Sequence, residues 1–179
     1  MTRVGIIGAS GYAAGDLMRL LLGHPGADLV ALSDLPDKCG PLAKIFPQFA
    51  GRIDLEVEPT DPKRLAGACD VVFLALPHCV SLQYVPPLLA AGLRVIDFSA
   101  DYRLKTPGLY EKVYGHAADE ANLKHAVYGM PELYREEICK ARLIANPGCY
   151  PTSAILGLAP LVRQGLVAPA VGGPGESVG

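Results

Sequence analysis

The chain has 179 residues, half of them hydrophobic, which is enough for one domain with a sizeable core and the start of a second. Its 16 basic and 18 acidic side chains give a net charge of -2, without the basic excess that a nucleic-acid or anionic-membrane surface needs. No apolar run approaches the ~18 residues of a spanning helix, and the run after Arg3 is too short for a secretory signal, so no membrane partner is expected.

Arg3 to Gly8 reads as a buried strand. Gly8-Ala9-Ser10-Gly11-Tyr12-Ala13-Ala14-Gly15 follows as a turn, and Asp16 to Leu22 reads as a helix. A strand, a glycine turn and a helix form the phosphate-binding start of a βαβ unit. Gly8 allows the tight turn, Gly11 lets a pyrophosphate approach the backbone, and the N–H groups from Ser10 to Ala13 face the phosphates. The same residues also fit a plain glycine-rich turn without a ligand. Ala27 to Leu32 is the expected second strand, ending at Ser33-Asp34, where an adenosine ribose is read. A carboxylate there suits the free 2′-hydroxyl of NAD. Against this, Ser33 and Lys38 offer donors to a 2′-phosphate, and Asp34 also fits a turn cap.

Leu35 to Asp54 reads as irregular, with a short helix over Leu42 to Phe46. Asp61 to Ala68 reads as a helix started by the Thr60/Asp61 cap and Pro62. Asp70 to Leu76 is a continuous apolar run, as in a strand buried on both faces. It ends in Pro77-His78-Cys79, before a helix over Val80 to Ala91. Arg94 to Phe98 is the next strand, followed by Ser99-Ala100-Asp101-Tyr102-Arg103. His78 reads either as an acid–base group or as a helix-end residue bonded to local backbone. Arg103 reads either as an anchor for an anionic substrate or as the partner of Asp101 or Asp97. Residues 104 to 127 read as a polar loop with a short helix, and Glu132 to Lys140 as a helix. Strands alternating with helices imply an α/β fold with a doubly wound, mostly parallel sheet, whose ligands bind at the carboxyl ends of strands.

Leu143-Ile144-Ala145 then reads as a short strand, Asn146-Pro147-Gly148-Cys149-Tyr150-Pro151-Thr152 as a turn, and Ala154 to Leu166 as a helix. Cys149 sits where unpaired N–H groups and the positive end of a helix dipole favour a thiolate, the nucleophilic form. A buried structural cysteine is the alternative. The five cysteines include no Cys-x-x-Cys pair and the four histidines are scattered. Neither a disulfide framework nor a metal site is expected, and a reducing cytoplasm is the expected location.

Five stretches together resemble N-acetyl-gamma-glutamyl-phosphate reductases. They are Gly8-Ala-Ser-Gly-Tyr12, Phe73-Leu-Ala-Leu-Pro-His78, Val95-Ile-Asp-Phe-Ser-Ala-Asp-Tyr-Arg-Leu104, Tyr128-Gly-Met-Pro-Glu-Leu133 and Asn146-Pro-Gly-Cys-Tyr-Pro-Thr152. They occur in the family's order and reach to about Val167. The wider group includes aspartate-semialdehyde dehydrogenase, whose cysteine motif differs.

The resemblance implies reduction of a small-molecule acyl phosphate to an aldehyde by NADP(H), through a thioester on Cys149, in arginine biosynthesis. It implies a Rossmann-like fold with cofactor contacts at Gly8, Ser10, Gly11, Tyr12, Ala13, Ser33, Ala75, Pro77 and Ser99. It places substrate contacts at Arg103 and Asn146. A relative acting on carrier-bound aminoadipyl phosphate is a further substrate possibility, and a stand-alone dinucleotide-binding module is the rival role, with Leu156, Leu158 and Leu161 as its partner surface. Departures are Cys79 where the family has glycine, and Asp34 where a residue suited to a 2′-phosphate is expected. Residues 1–148 are then expected to form the dinucleotide domain. Residues 149–179 are expected to open a second α/β domain and to end in an atypical, flexible tail from Val171. In the family that second domain supplies a catalytic histidine and an oligomer interface, so a homo-oligomer is expected of the full-length form and little turnover of this stretch alone.

Overall fold

The computed structural model describes residues 1–106 and 108–167. The expectation of a flexible tail from Val171 lies outside the described residues. The first half contains β1 (Thr2–Ile7), α1 (Tyr12–Leu22), β2 (Ala27–Asp34), β3 (Gly40–Pro41), α2 (Leu42–Ile45), β4 (Glu56–Pro59), α3 (Pro62–Ala68) and β5 (Val71–Leu74). The second contains α4 (Val85–Ala90), β6 (Arg94–Asp97), α5 (Leu109–Tyr114), α6 (Glu120–Leu123), β7 (Val127–Tyr128), α7 (Pro131–Lys140), β8 (Leu143–Ala145) and α8 (Cys149–Arg163).

The eight strands form one sheet in the order β3-β4-β2-β1-β5-β6-β8-β7. Every neighbouring pair is parallel except β3 with β4. The expected doubly wound, mostly parallel sheet is thus the observed one. Strand order reverses about β1, which pairs with β2 on one side and β5 on the other.

Adjacent residues of a strand point to opposite faces, and here both faces are covered. Ile6 packs with Ala14 and Met18 of α1, Leu32, Leu42 and Phe46. Ile7 joins Leu65 of α3, Leu74, Val85 and Leu88 of α4, and Val95. Each such aliphatic side chain contributes about 1.5–3 kcal/mol on burial, so the sheet is held from both sides.

Several boundaries differ from the sequence reading. The second half of the expected Val80–Ala91 helix is α4, and Ser81–Gln83 forms a separate 3-10 turn. Pro86 and Pro87 lack the N–H groups that would bond back into a continuous helix, so α4 starts just before them. β4 and β7 were not expected. In β4 only Val57 is buried, so no apolar run announces it. β7 is two residues long. α8 starts at Cys149, five residues earlier than the apolar period suggested, and ends before Gly165, whose φ is +69°. None of its residues is buried among the described residues, and Leu158 is 50% exposed. No helix among the described residues is long and apolar enough to cross a membrane.

Candidate active site

The carboxyl ends of β1, β2 and β5 enclose a cavity of about 270 Å³ at the point where strand order reverses. Gly8, Ser10, Gly11, Asp34, Leu35, Lys38 and Thr60 line one side, and Ala75, Leu76, Pro77, Val80 and Tyr84 the other. Gly8 has φ +83°, and a Cβ there would lie 2.9 Å from the Ala75 carbonyl carbon. Only glycine lets β1 turn this close to β5. The Ser33 carbonyl accepts the Gly8 and Ala9 N–H groups at 2.9 and 3.1 Å, which fixes the turn against β2.

Not all of the expected phosphate-facing N–H groups are free. Ser10 donates its N–H to Asp34 Oδ2 at 2.9 Å, and Gly11 donates to the Gly8 carbonyl at 3.2 Å. No side chain caps α1, so the N–H groups of Tyr12 and Ala13 stay available at the positive end of the helix. The Tyr12 ring is 94% exposed and lines a separate groove with Asp16 and Arg19. Ser33, expected as a cofactor contact, is fully buried with its hydroxyl 3.4 Å from the Ile6 carbonyl, and does not line the cavity. The free N–H pair and the space that Gly8 leaves unfilled fit a dinucleotide pyrophosphate.

At the end of β6, Asp97 is fully buried and accepts hydrogen bonds from the Ser81 hydroxyl at 2.7 Å and the Ser99 hydroxyl at 2.6 Å. Burial pushes its carboxyl above the ordinary value, and the serine bonds pull it partly back. Ser99 in turn accepts the Asp101 N–H at 3.1 Å and does not line the dinucleotide cavity. His78 Nδ1 accepts the Ala100 N–H at 3.1 Å, and its ring lies 5.3 Å from that of Tyr114. The ring is thus bonded to backbone, but to that of the loop after β6 rather than to the local backbone of its own helix end. Cys79 is the one non-glycine residue with positive φ among the described residues, at +67°. Its N–H is held at 2.7 Å by Asp101 Oδ1, which also accepts the Tyr110 hydroxyl at 2.8 Å. Asp101 Oδ2 is buried without a partner among the described residues. This cluster was not legible in sequence, because Tyr110 sits on a helix expected only as part of a polar loop.

Arg103 pairs with neither Asp97 nor Asp101. Its guanidinium donates from Nε to the Asn146 carbonyl at 2.8 Å and from Nη2 to the Phe98 carbonyl at 2.6 Å. Nη1 faces Gly148, 3.3 Å from where a Cβ would stand. Asn146 donates its N–H to the Asp97 carbonyl at 2.8 Å, and its side-chain amide turns to the Pro147 carbonyl at 3.2 Å. Parallel pairing of β6 with β8 sets Asp97 opposite Ala145, so the two loops leave the sheet side by side.

Cys149 is the first residue of α8 and is exposed. No side chain caps this helix, and Thr152 returns both its N–H and its hydroxyl to the Gly148 carbonyl, at 3.0 and 2.8 Å. The N–H groups of Cys149 and Tyr150 are left free, and Pro151 has none. A thiol in this position meets the positive helix end, and the two free N–H groups can hold an oxyanion. Cys149 opens on a groove lined by Gly129, Met130, Glu132, Asn146, Pro147 and Thr152. Glu132 and Met130 were not picked out from the sequence as site residues, although their motif was.

The profile described as "Semialdehyde dehydrogenase, NAD binding domain" matches residues 3–141. The chain is 46% identical over 169 residues to the N-acetyl-gamma-glutamyl-phosphate reductase of Desulfotalea psychrophila, covering 94% of this chain and 49% of that one. It is 47% identical over 171 residues to that of Nitrosococcus oceani, covering 94% and 50%. The chain therefore spans about half the length of these curated relatives. Among solved structures, aspartate semialdehyde dehydrogenase with NADP from Candida albicans superposes with a TM-score of 0.68 at 19% identity, over 92% of this chain and 47% of that one. The enzyme of the same name from Francisella tularensis gives 0.63 at 17%, over 92% and 42%.

Proposed function

We propose, for a chain that belongs to the semialdehyde dehydrogenase NAD-binding domain family, that it forms the dinucleotide-binding and nucleophile-bearing part of an N-acetyl-gamma-glutamyl-phosphate reductase. The observation that carries this reading is the placement of Cys149. It stands at an uncapped helix N-terminus, on the sheet edge that also carries the dinucleotide cavity.

In this reading the Cys149 thiolate attacks the acyl carbon of the substrate. A carbon–sulfur bond forms, the bond to the phosphate oxygen breaks, and phosphate leaves with the electron pair. Splitting the reaction at a thioester replaces one difficult displacement with two easier ones. The Cys149 and Tyr150 N–H groups hold the negative charge that develops on the acyl oxygen. When bound, reduced nicotinamide supplies the hydride that turns the thioester into the aldehyde.

Tyr12 and Ala13 donate to the pyrophosphate, Gly8 and Gly11 give it room, and Ala75 and Pro77 form the wall along the dinucleotide. Ser10 lines the cavity with its N–H turned to Asp34, while Ser33 and Ser99 act one layer back, holding turns at the ends of β2 and β6. Arg103 and Asn146 shape the substrate side. The dinucleotide unit comprises residues 1–148, and α8 opens the next unit.

The test is acyl transfer without reduction. The protein is incubated with N-acetyl-gamma-glutamyl phosphate in the absence of dinucleotide, quenched in acid and mapped by mass spectrometry. One N-acetylglutamyl group on the Cys149 peptide is expected, and it is lost on treatment with hydroxylamine. An unmodified Cys149, or acylation spread over the exposed cysteines, would overturn the reading.

A further inference from the structure

We infer that Asp101 is a positioning residue for the dinucleotide site: it holds residues 77–80 as the β5-side wall of the cavity by keeping Cys79 in a left-handed backbone conformation. This rests on the dinucleotide reading of the cavity and adds a residue outside the lining on which its shape depends.

Pro77 and Val80 line the cavity, and His78 and Cys79 between them do not. The segment is fixed at both ends. Ala75 donates its N–H to the Ile7 carbonyl at 2.8 Å, and the Ser81 hydroxyl donates to Asp97 at 2.7 Å. Between those ends the path of the chain turns on Cys79, whose φ is +67°. A side chain in that region is strained and persists only where its surroundings hold it. The holding contact is Asp101 Oδ1, which accepts the Cys79 N–H at 2.7 Å. That oxygen is aimed by the buried Tyr110 hydroxyl, which donates to it at 2.8 Å. His78 returns a bond across the same gap, its Nδ1 accepting the Ala100 N–H at 3.1 Å. The loops after β5 and β6 thus exchange a side-chain acceptor for a backbone donor in each direction.

Stability alone does not account for the carboxylate. Asp101 is 1% exposed, and its Oδ2 is buried without a partner among the described residues. An unmatched buried oxygen is unfavourable, and an apolar side chain would fill that place at lower cost. What a carboxylate adds is a strong acceptor for the one N–H of a strained turn.

The test is titration of the 179-residue chain with NADPH, following nicotinamide fluorescence, on variants shown folded by circular dichroism. Asp101→Ala should raise the dissociation constant at least about tenfold, because a bond to a charged acceptor is lost. Adding Cys79→Gly to it should recover binding to within about threefold of wild type, since glycine adopts a positive φ without being held. Cys79→Gly alone should bind no more than about twofold more tightly than wild type, so the recovery reads the coupling of the two residues. A merely structural loss would not be recovered, because glycine restores no contact at residue 101. Asp101→Ala binding within about threefold of wild type, or a double variant as weak as the single one, would overturn the inference while leaving a dinucleotide site in place. Should Asp101→Ala not fold, Asp101→Asn decides. Its neutral carbonyl is a weaker acceptor, so a loss of at least about threefold, reversed by Cys79→Gly, is expected, and no loss or no reversal overturns the inference. A wild-type chain that fails to bind NADPH would overturn this inference and the dinucleotide reading together.

Discussion

Arg103 holds Asn146 by a hydrogen bond from Nε to the backbone carbonyl at 2.8 Å, across the boundary between the β6 loop and the turn that presents Cys149. A second bond, from Nη2 to the Phe98 carbonyl, ties the same guanidinium to the end of β6. Arg103 thus works as a clamp between two loops, with only Nη1 left toward Gly148. Replacing it by alanine leaves two carbonyls without their charged donor. We expect Arg103→Ala to lose about 2–3 kcal/mol of stability in urea unfolding, since bonds to charged donors count for more than neutral ones. Iodoacetamide should alkylate Cys149 at a rate changed at least about threefold, because the turn that presents the thiol is no longer held in place. Arg103→Lys cannot reproduce the fork and should reverse less than half of either effect.

Gly8→Ala is expected to cost about 2–4 kcal/mol, combining a positive φ with a Cβ pressed on the Ala75 carbonyl. The thermal midpoint reads the stability loss, and fluorescence titration with NADPH should show no saturable binding. Gly11→Ala is the comparison, because its Cβ meets nothing closer than the Gly8 carbonyl at 3.4 Å. It should leave stability nearly intact and weaken only the nucleotide.

The raised carboxyl of Asp97 gives a pH dependence with a definite sign. Burial makes the folded protein hold this proton more tightly than the unfolded chain does. Its contribution to stability is therefore full below the ordinary carboxyl value of 3.8 and is lost as pH rises through the higher folded value. Asp97→Asn can keep the bonds to Ser81 and Ser99 without ionising. Urea midpoints measured from acid to neutral pH should show this variant gaining relative to wild type as pH rises. A constant difference across the range would contradict the assignment.

The exposed leucines of α8 carry little of the fold. Leu158→Glu combined with Leu161→Glu should change the unfolding free energy by less than about 0.5 kcal/mol, as expected for exposed sites. The same pair should lower concentration-dependent association in light scattering, because adjacent exposed apolar groups promote it.

The central sheet was legible because its strands are continuous apolar runs joined through turns with distinct chemistry. Gly8, Asp61-Pro62 and Gly148 each mark a turn or a helix start that the structure reproduces. β4 was not legible, since one buried valine between two glutamates carries no period. The apolar period of α8 begins only at Ala154, so its first turn was legible from Gly148 and the Cys149-Tyr150-Pro151 chemistry rather than from any stripe. Arg103 shows a different limit. Charge alone suggested a carboxylate partner, but the guanidinium meets the Phe98 carbonyl of its own loop and, through the register of β6 against β8, the Asn146 carbonyl. Contacts set by register between segments more than 40 residues apart leave no local pattern to read.

The wet surface of α8 also bears on how steady its first residue can be. A helix with no buried side chain is held mainly by its own backbone bonds, so its opening is a local event that need not await global unfolding. The dipole and the free N–H groups at Cys149 exist only while that helix is wound. Thiol reactivity should then track the amide hydrogen-exchange protection of α8, and whatever covers Leu156, Leu158 and Leu161 would tune the nucleophile from about two to three turns away by shifting that local equilibrium.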